Sequence, residues 1–397
     1  MRVLLIDDGL KDWSGHNAAY ALSVVEELCR RGTGCELFAN CRMSKLPIDG
    51  FPVHLTFQNF AAGMFFESRV LPRALNRLAR VASANWSHLR DLFSKVTPYV
   101  RKGDLLLVLI ASSRTTVAYA LWLRWLAMTR RSIAVVFIVH NRPEALFKWE
   151  ARFLETVGAG HRLYWASHTE PVQKMCAEAV GSRSFLLPLP FGATGTVKSL
   201  RSPSGSGVIF SYLGVAGLPK GLDILVDAID SVTDLLRDGR LKLIVQCNIH
   251  LANNRLEELK KRLKALARDI PGIEVIEKAL TDAEYRERMS DTDVVLIPHR
   301  RQFYQYALSG IFTEALAMGK PVVATSDTYM AKELLRSGAG VCFEDGDPLA
   351  LAQAMRSVVD NIEALSNRAS AAQNAWRAIH NADRYVTDLC AVAEREC

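Results

Sequence analysis

The chain has 397 residues, enough for two or three domains that each bury a core. Hydrophobic residues make up 49% and charged residues 23%, a balance that excludes a disordered chain. The net charge of +7 is uneven, because residues 1–195 hold 24 Lys and Arg against 15 Asp and Glu while the remainder comes to −2. Such a basic half fits an anionic partner, nucleic acid or an acidic membrane surface, or an uneven solvated surface with no partner.

The start, Met1 to Asp8, is apolar for too few residues to be a signal peptide. The most apolar stretches, Leu105–Ile110 and Val117–Met128, are interrupted by Arg114 and Arg124, well short of the ~20 residues a membrane span needs. A cytoplasmic chain that does not cross a membrane is expected. The cysteines form no CxxC pair and no Cys/His cluster with metal spacing, so reduced structural thiols and no metal are expected as well.

Short apolar runs alternate with stretches of helical period, the pattern of a parallel-sheet α/β protein. Val3–Asp8 reads as the first strand, and Ala18, Leu22, Val25 and Cys29 then line one face of a helix that stops near Gly32 and Gly34. Further strands are expected at Cys35–Phe38, Val53–Phe57, Leu105–Ile110, Ala134–Val139, Leu163–Ala166 and Phe185–Leu187, with a helical insertion between Phe60 and Asp104. In that insertion Arg73, Arg77 and Arg80 share one helical face opposite Leu75, Leu78 and Val81, which suits either an anionic lipid surface or a helix packed on the domain. Gly192–Gly207 is Ser- and Pro-containing, a linker by composition. The pattern restarts with strands at Val208–Leu213, Leu241–Gln246, Ile273–Ile276, Val294–Pro298, Val322–Ala324 and Val341–Phe343, and ends in a helical tail from about Pro348.

The chemistry concentrates in Ser309–Ala324. Ser309 is a good N-cap, Gly310 lets a ligand approach the backbone, and Gly319 with Pro321 ends the helix before a strand. A helix opening of this kind turns free N–H groups, including that of Ile311, and a positive dipole end toward an anion. Glu314 follows five residues after Ser309, about 7.5 Å along the axis, within reach of a sugar hydroxyl on a diphosphate bound there. Upstream, Gly214 follows a strand and allows close backbone approach, while Lys220 supplies a compact cation next to Gly221. His140-Asn141 follows the strand ending at Val139, the end of a parallel strand at which open sheets bind ligands. Asp291-Thr292-Asp293 reads as a helix–strand turn, and Asp345-Gly346-Asp347-Pro348 as a turn into a helix. His299-Arg300-Arg301 follows another strand end, where an arginine can add to the anion-binding charge or sit in a solvated loop.

The stretch Glu314-Ala315-Leu316-Ala317-Met318-Gly319-Lys320-Pro321-Val322 resembles the donor-site helix of GT-B glycosyltransferases of the family-4 type, E-x7-E-A-x-A-x-G-x-P-V. The first Glu of that pattern falls on Tyr306, which leaves the sugar open. Gly214 with Lys220-Gly221 resembles the family's G-R-L-x-x-x-K-G segment, with Val215 at the Arg position. Ser14-Gly15-His16-Asn17 resembles its Gly-rich acceptor-side loop.

The resemblance implies two Rossmann-like domains facing a cleft: 1–191 for the acceptor, a linker 192–207, 208–375 for the nucleotide-sugar, and a helix within 376–397 packing back on the first domain. It implies sugar transfer to a glycan or lipid-linked acceptor with retention, without metal or other cofactor and without nucleic acid. Family members with a basic first domain often work at the inner face of a membrane, in polysaccharide biosynthesis among other routes. Lys220 and the Ser309–Ile311 amides would hold the departing diphosphate, aided by Gly214 and Arg300. Glu314 would hold the ribose, and His140 would line the sugar pocket. A GT-B epimerase, or a related scaffold that binds a nucleotide or partner without turnover, would share most of these features.

Overall fold

The computed structural model describes residues 1–11, 15–43, 51–58, 73–112, 114–141, 147–190, 207–249 and 254–394, with the backbone alone at 15–17, 73–78 and 393. The chain divides into two compact units, one holding residues 1–13, 17–190 and 382–397, the other residues 14–16 and 191–381. The expected linker falls outside the described residues apart from Gly207.

In the first unit seven parallel strands stand in the order β3-β2-β1-β4-β5-β6-β7: β1 (Val3–Asp7), β2 (Cys35–Asn40), β3 (Val53–Phe57), β4 (Leu105–Val108), β5 (Ala134–Val139), β6 (Arg162–Ser167) and β7 (Ser184–Leu186). Helices α1 (Gly15–Arg30), α2 (Arg73–Asp91), α3 (Thr116–Met128), α4 (Phe147–Val157) and α5 (Glu170–Val180) connect them. Every residue of β1 and β4 is buried, which is why these strands read as unbroken apolar runs rather than alternating ones.

The second unit repeats the plan with six parallel strands ordered β10-β9-β8-β11-β12-β13: β8 (Val208–Tyr212), β9 (Leu241–Gln246), β10 (Ile273–Ile276), β11 (Val294–Ile297), β12 (Val322–Thr325) and β13 (Gly340–Phe343). Its helices are α6 (Leu222–Ala228), α7 (Thr233–Arg237), α8 (Asn254–Asp269), α9 (Asp282–Asp291), α10 (Arg301–Tyr304), α11 (Gly310–Ala317), α12 (Tyr329–Ser337), α13 (Pro348–Asp360) and α14 (Ile362–Ile379). In both sheets the first strand lies inside, so the winding reverses between β1 and β4 and again between β8 and β11. Open α/β sheets bind ligands at the carboxyl ends of the strands beside such a reversal.

The last helix, α15 (Ala382–Ala393), belongs to the first unit. There Tyr385 is fully buried and receives a 2.8 Å hydrogen bond from the Tyr20 hydroxyl, and Asp383 pairs with Arg30 and Arg31. Trp376, inside the tail expected for the first domain, stays in the second unit, where its indole N–H donates to Thr313 O at 3.1 Å.

Candidate functional site

In the second unit β8 runs into Gly214, whose φ of +94° lies in the left-handed region. The turn is held from the neighbouring strand. Gly214 N–H donates to Gln246 Oε1 at 2.7 Å, and Gln246 Nε2 donates on to Lys278 O at 3.1 Å. A Cβ added at Gly214 would stand 2.9 Å from Ile311 Cδ1 and 3.6 Å from Lys220 Nζ. Gly214, Lys220 and the first turn of α11 therefore converge on one point, although ninety-odd residues separate them in sequence. Gly221 has φ +72°, and a Cβ there would fall 1.8 Å from Pro298 O, so only glycine lets this loop close on the end of β11. Arg300 N–H donating to Pro219 O at 2.9 Å fastens the same closure.

The Lys220 ammonium makes no hydrogen bond or ion pair with a described residue. It is half-buried, and desolvation pulls its pKa below the ordinary lysine value. A desolvated cation without a partner is what an incoming anion would neutralise.

Ser309 occupies the N-cap position of α11 but its side chain makes no capping bond, contrary to the expectation from its residue type. No side chain of the helix covers the N–H groups of Gly310 and Ile311 in its place. Glu314, one turn inside, is half-buried and accepts a hydrogen bond from the Tyr285 hydroxyl on α9. The helix is anchored at its other end by Gln373 and Arg377, both donating to Ala317 O.

Arg300 is not an open cation: it pairs with Asp223, and Arg301 with Asp327 at 3.0 Å. The Arg300 guanidinium also lies against the turn that follows β13, where a Cβ on Gly346 would come 2.7 Å from Nη1. Asp347 in that turn caps α13 as expected, accepting from Leu349 N at 2.8 Å and Ala350 N at 3.1 Å. Asp291-Thr292-Asp293 is spent on structure too. Thr292 is buried and donates to Ser211 Oγ at 2.7 Å, and Asp293 accepts from Ile209 N at 2.9 Å.

Ser14 lies outside the described residues, and Gly15, His16 and Asn17 form the first turn of α1 rather than a loop ahead of it. His140 stands just past β5, with its ring edge accessible and Nε2 donating to Leu109 O at 2.7 Å. Desolvation lowers its pKa against the pull of that carbonyl, which keeps the ring neutral near pH 7. Its neighbours include Tyr20 at 6.1 Å and His168 at 5.2 Å between ring centroids. At the end of β1, Asp7 is 2% exposed, and burial pushes its carboxyl up to about 6 despite the N–H bonds it accepts from Gly9 and Leu10. Sequence reasoning had not singled out Asp7, Gln246, Tyr285 or Asp223.

Residues 208–361 match the family model described as "Glycosyl transferases group 1". The matched stretch spans the whole sheet of the second unit. The convergence of Gly214, Lys220 and Ile311 falls entirely within it, as does Glu314. Solved structures share the fold of the whole chain, two Rossmann-like parallel-sheet domains of the GT-B type. HepE of Anabaena, solved in complex with UDP and glucose, matches at TM-score 0.63 and 16% identity over 98% of this chain and 99% of its own. An α,α-trehalose-phosphate synthase of Burkholderia xenovorans, in complex with glucose-6-phosphate, matches at TM-score 0.69 and 12% identity over 100% of both chains. A sucrose-phosphate synthase of Thermosynechococcus elongatus follows at 0.64 and 14%, over 98% of each. No curated protein matches the sequence.

Proposed function

We propose that the protein is a retaining, metal-independent glycosyltransferase that moves a sugar, a hexose first among candidates, from a nucleotide-sugar to an acceptor held by the first unit. The observation that carries this reading is the partnerless Lys220 beside Gly214 and the uncapped start of α11, one turn from Glu314. Lys220 and the first amides of α11 stabilise the departing diphosphate, Glu314 accepts from the ribose hydroxyls, and Arg300 positions the Lys220 loop. His140, neutral, lines the sugar side. The leaving phosphate takes the acceptor's proton as its bond to the anomeric carbon breaks. The bound UDP of HepE makes uridine the first base to test. Asp293 accepts from Ile209 N in β8 and Thr292 is buried against Ser211, a structural use of the DxD sequence that supports a metal-free step.

Incubating the chain with a panel of nucleotide-sugars, UDP-glucose first, is expected to release the nucleoside diphosphate at a rate that EDTA leaves unchanged. Absence of release from every donor overturns the transfer. Release lost with EDTA and restored by manganese or magnesium overturns the metal-free step alone.

We also propose that the first unit works at an anionic lipid surface. Among the described residues no helix is long and apolar enough to cross a membrane. The outward stripe of α3 is instead Val117, Leu121, Arg124 and Met128, and Trp86 on α2 and Trp149 on α4 are also exposed. Helix α3 packs against both α2 and α4 and carries no acidic residue. Exposed apolar side chains interleaved with arginine suit the headgroup region. Of the three arginines expected to make the contact, only the Arg80 side chain lies within the described residues, and it is half-buried. Sedimentation with anionic vesicles at low salt should carry the protein down, and Trp86→Ala/Arg124→Glu should leave it in the supernatant with nucleotide binding intact. Equal recovery with neutral and anionic lipid would reject the surface.

A further inference from the structure

The first unit contains a cavity of about 380 Å³ beyond the carboxyl ends of β4 and β5, covered by α3 and α4. This is the size of a small-ligand site. Its inner wall is made of Tyr119, Phe137, Trp165, Ala151 and Leu154, each no more than 6% exposed. The three aromatic rings form a continuous face, with Tyr119 edge-on to Phe137 at 5.5 Å and Phe137 stacked on Trp165 at 6.1 Å. One polar group interrupts it. The Tyr119 hydroxyl makes no hydrogen bond with a described residue, although the side chain is 4% exposed. The hydroxyl faces the cavity without a protein partner among the described residues and can donate to an occupant. Among the described residues the rim is polar and carries one charge of each sign, Arg114 and Glu150, with His140 on the same side. An apolar depth, one free donor and a charge-balanced mouth exclude a phosphate or carboxylate as the buried part. A free sugar could be held at the polar rim by Ser112, Thr116 and Asn141, but the aromatic depth offers its hydroxyls only the Tyr119 oxygen.

We propose that this cavity takes the uncharged apolar portion of the acceptor, an aryl or short alkyl group, and presents its hydroxyl or attached sugar at the His140 end. The inference rests on the reading that the first unit holds the acceptor, and it adds the class of molecule. The ring or chain packs between Phe137, Trp165 and Leu154, and the Tyr119 hydroxyl donates to the one oxygen that enters with it.

Titration calorimetry on the full chain with hexyl β-glucoside, with naphthol and with glucose tests it, and UDP is titrated separately to report on the second unit. The two amphiphiles should bind and glucose alone should not. Ala151→Phe, which fills the cavity, should abolish amphiphile binding and leave UDP affinity unchanged. Tyr119→Phe, a smaller change that preserves packing, should weaken it roughly three- to tenfold, the loss of one hydrogen bond. Binding of glucose in place of the amphiphiles, or amphiphile affinity untouched by both variants, overturns the proposal while UDP binding keeps the donor reading standing. Loss of UDP binding in the unaltered chain would instead count against the donor site.

Discussion

Lys220→Ala is expected to lower nucleotide-sugar turnover by about two to three orders of magnitude, the effect of deleting one preorganised charge from a developing anion. The same substitution should not unfold the protein, for a reason specific to this lysine. Its ammonium has no counter-charge among the described residues, so its removal orphans nothing. The depressed pKa means that the fold bears a cost for keeping it charged. Because burial lowers the folded value, the protonated lysine subtracts from stability at pH below the ordinary lysine range, and the penalty fades only as pH rises toward that range. Thermal unfolding of Lys220→Ala should therefore match or exceed the parent in the absence of ligand, and the rise in Tm on adding UDP should shrink. Arg300→Ala is the informative contrast. It strips the partner from Asp223, whose Oδ1 is already buried without a hydrogen bond, and should lower stability before it touches turnover. Wild-type turnover in Lys220→Ala would place the diphosphate away from the Gly214 turn.

Much of this was legible in the sequence because the relevant signals are local. Val294–Ile297 and Leu105–Val108 are buried on both faces, so a bare apolar run suffices to mark them. Gly214, Lys220-Gly221 and Ser309–Glu314 stood out through a glycosyltransferase resemblance, with residue type and spacing alone too weak to single them out. What escaped is made by contacts across the chain. Tyr285 reaches Glu314 across 29 residues, and Gln246 holds Gly214 across 32, and neither spacing has a period. Arg300 could be placed near the site, but whether its charge stands open depends on Asp223, 77 residues earlier. Ser309 shows the opposite failure: the residue favours a cap, and its side chain does not make one. The cavity over β5 is likewise invisible to pattern, because it is the space that two helices leave above a sheet. Its aromatic wall reads as ordinary core.

Asp7→Asn is expected to stabilise the first unit at pH 7.5 by about 1–3 kcal/mol, a gain that disappears toward pH 4. Asp7 ends β1 at the reversal of strand order, is 2% exposed, and titrates near 6 against an ordinary 3.8 because burial penalises its charge. At pH 5 the folded protein still holds a proton there that the unfolded chain has released, so stability falls as pH rises from about 4 to about 6. Above 6 the whole penalty is present. Asparagine keeps an oxygen to accept the Gly9 N–H now bonded at 3.0 Å, and it carries no charge to desolvate. Urea unfolding of the first unit at pH 4, 5, 6 and 7.5 measures the difference directly, and a gain of equal size at every pH would assign it to packing rather than to the carboxylate. A charge buried at such a cost, at the strand end where parallel sheets bind their ligands, is a candidate for a functional group. The stabilised variant should accordingly be the slower enzyme. If it were both more stable and fully active, Asp7 would be a tolerated burden of the fold with no part in handling the acceptor.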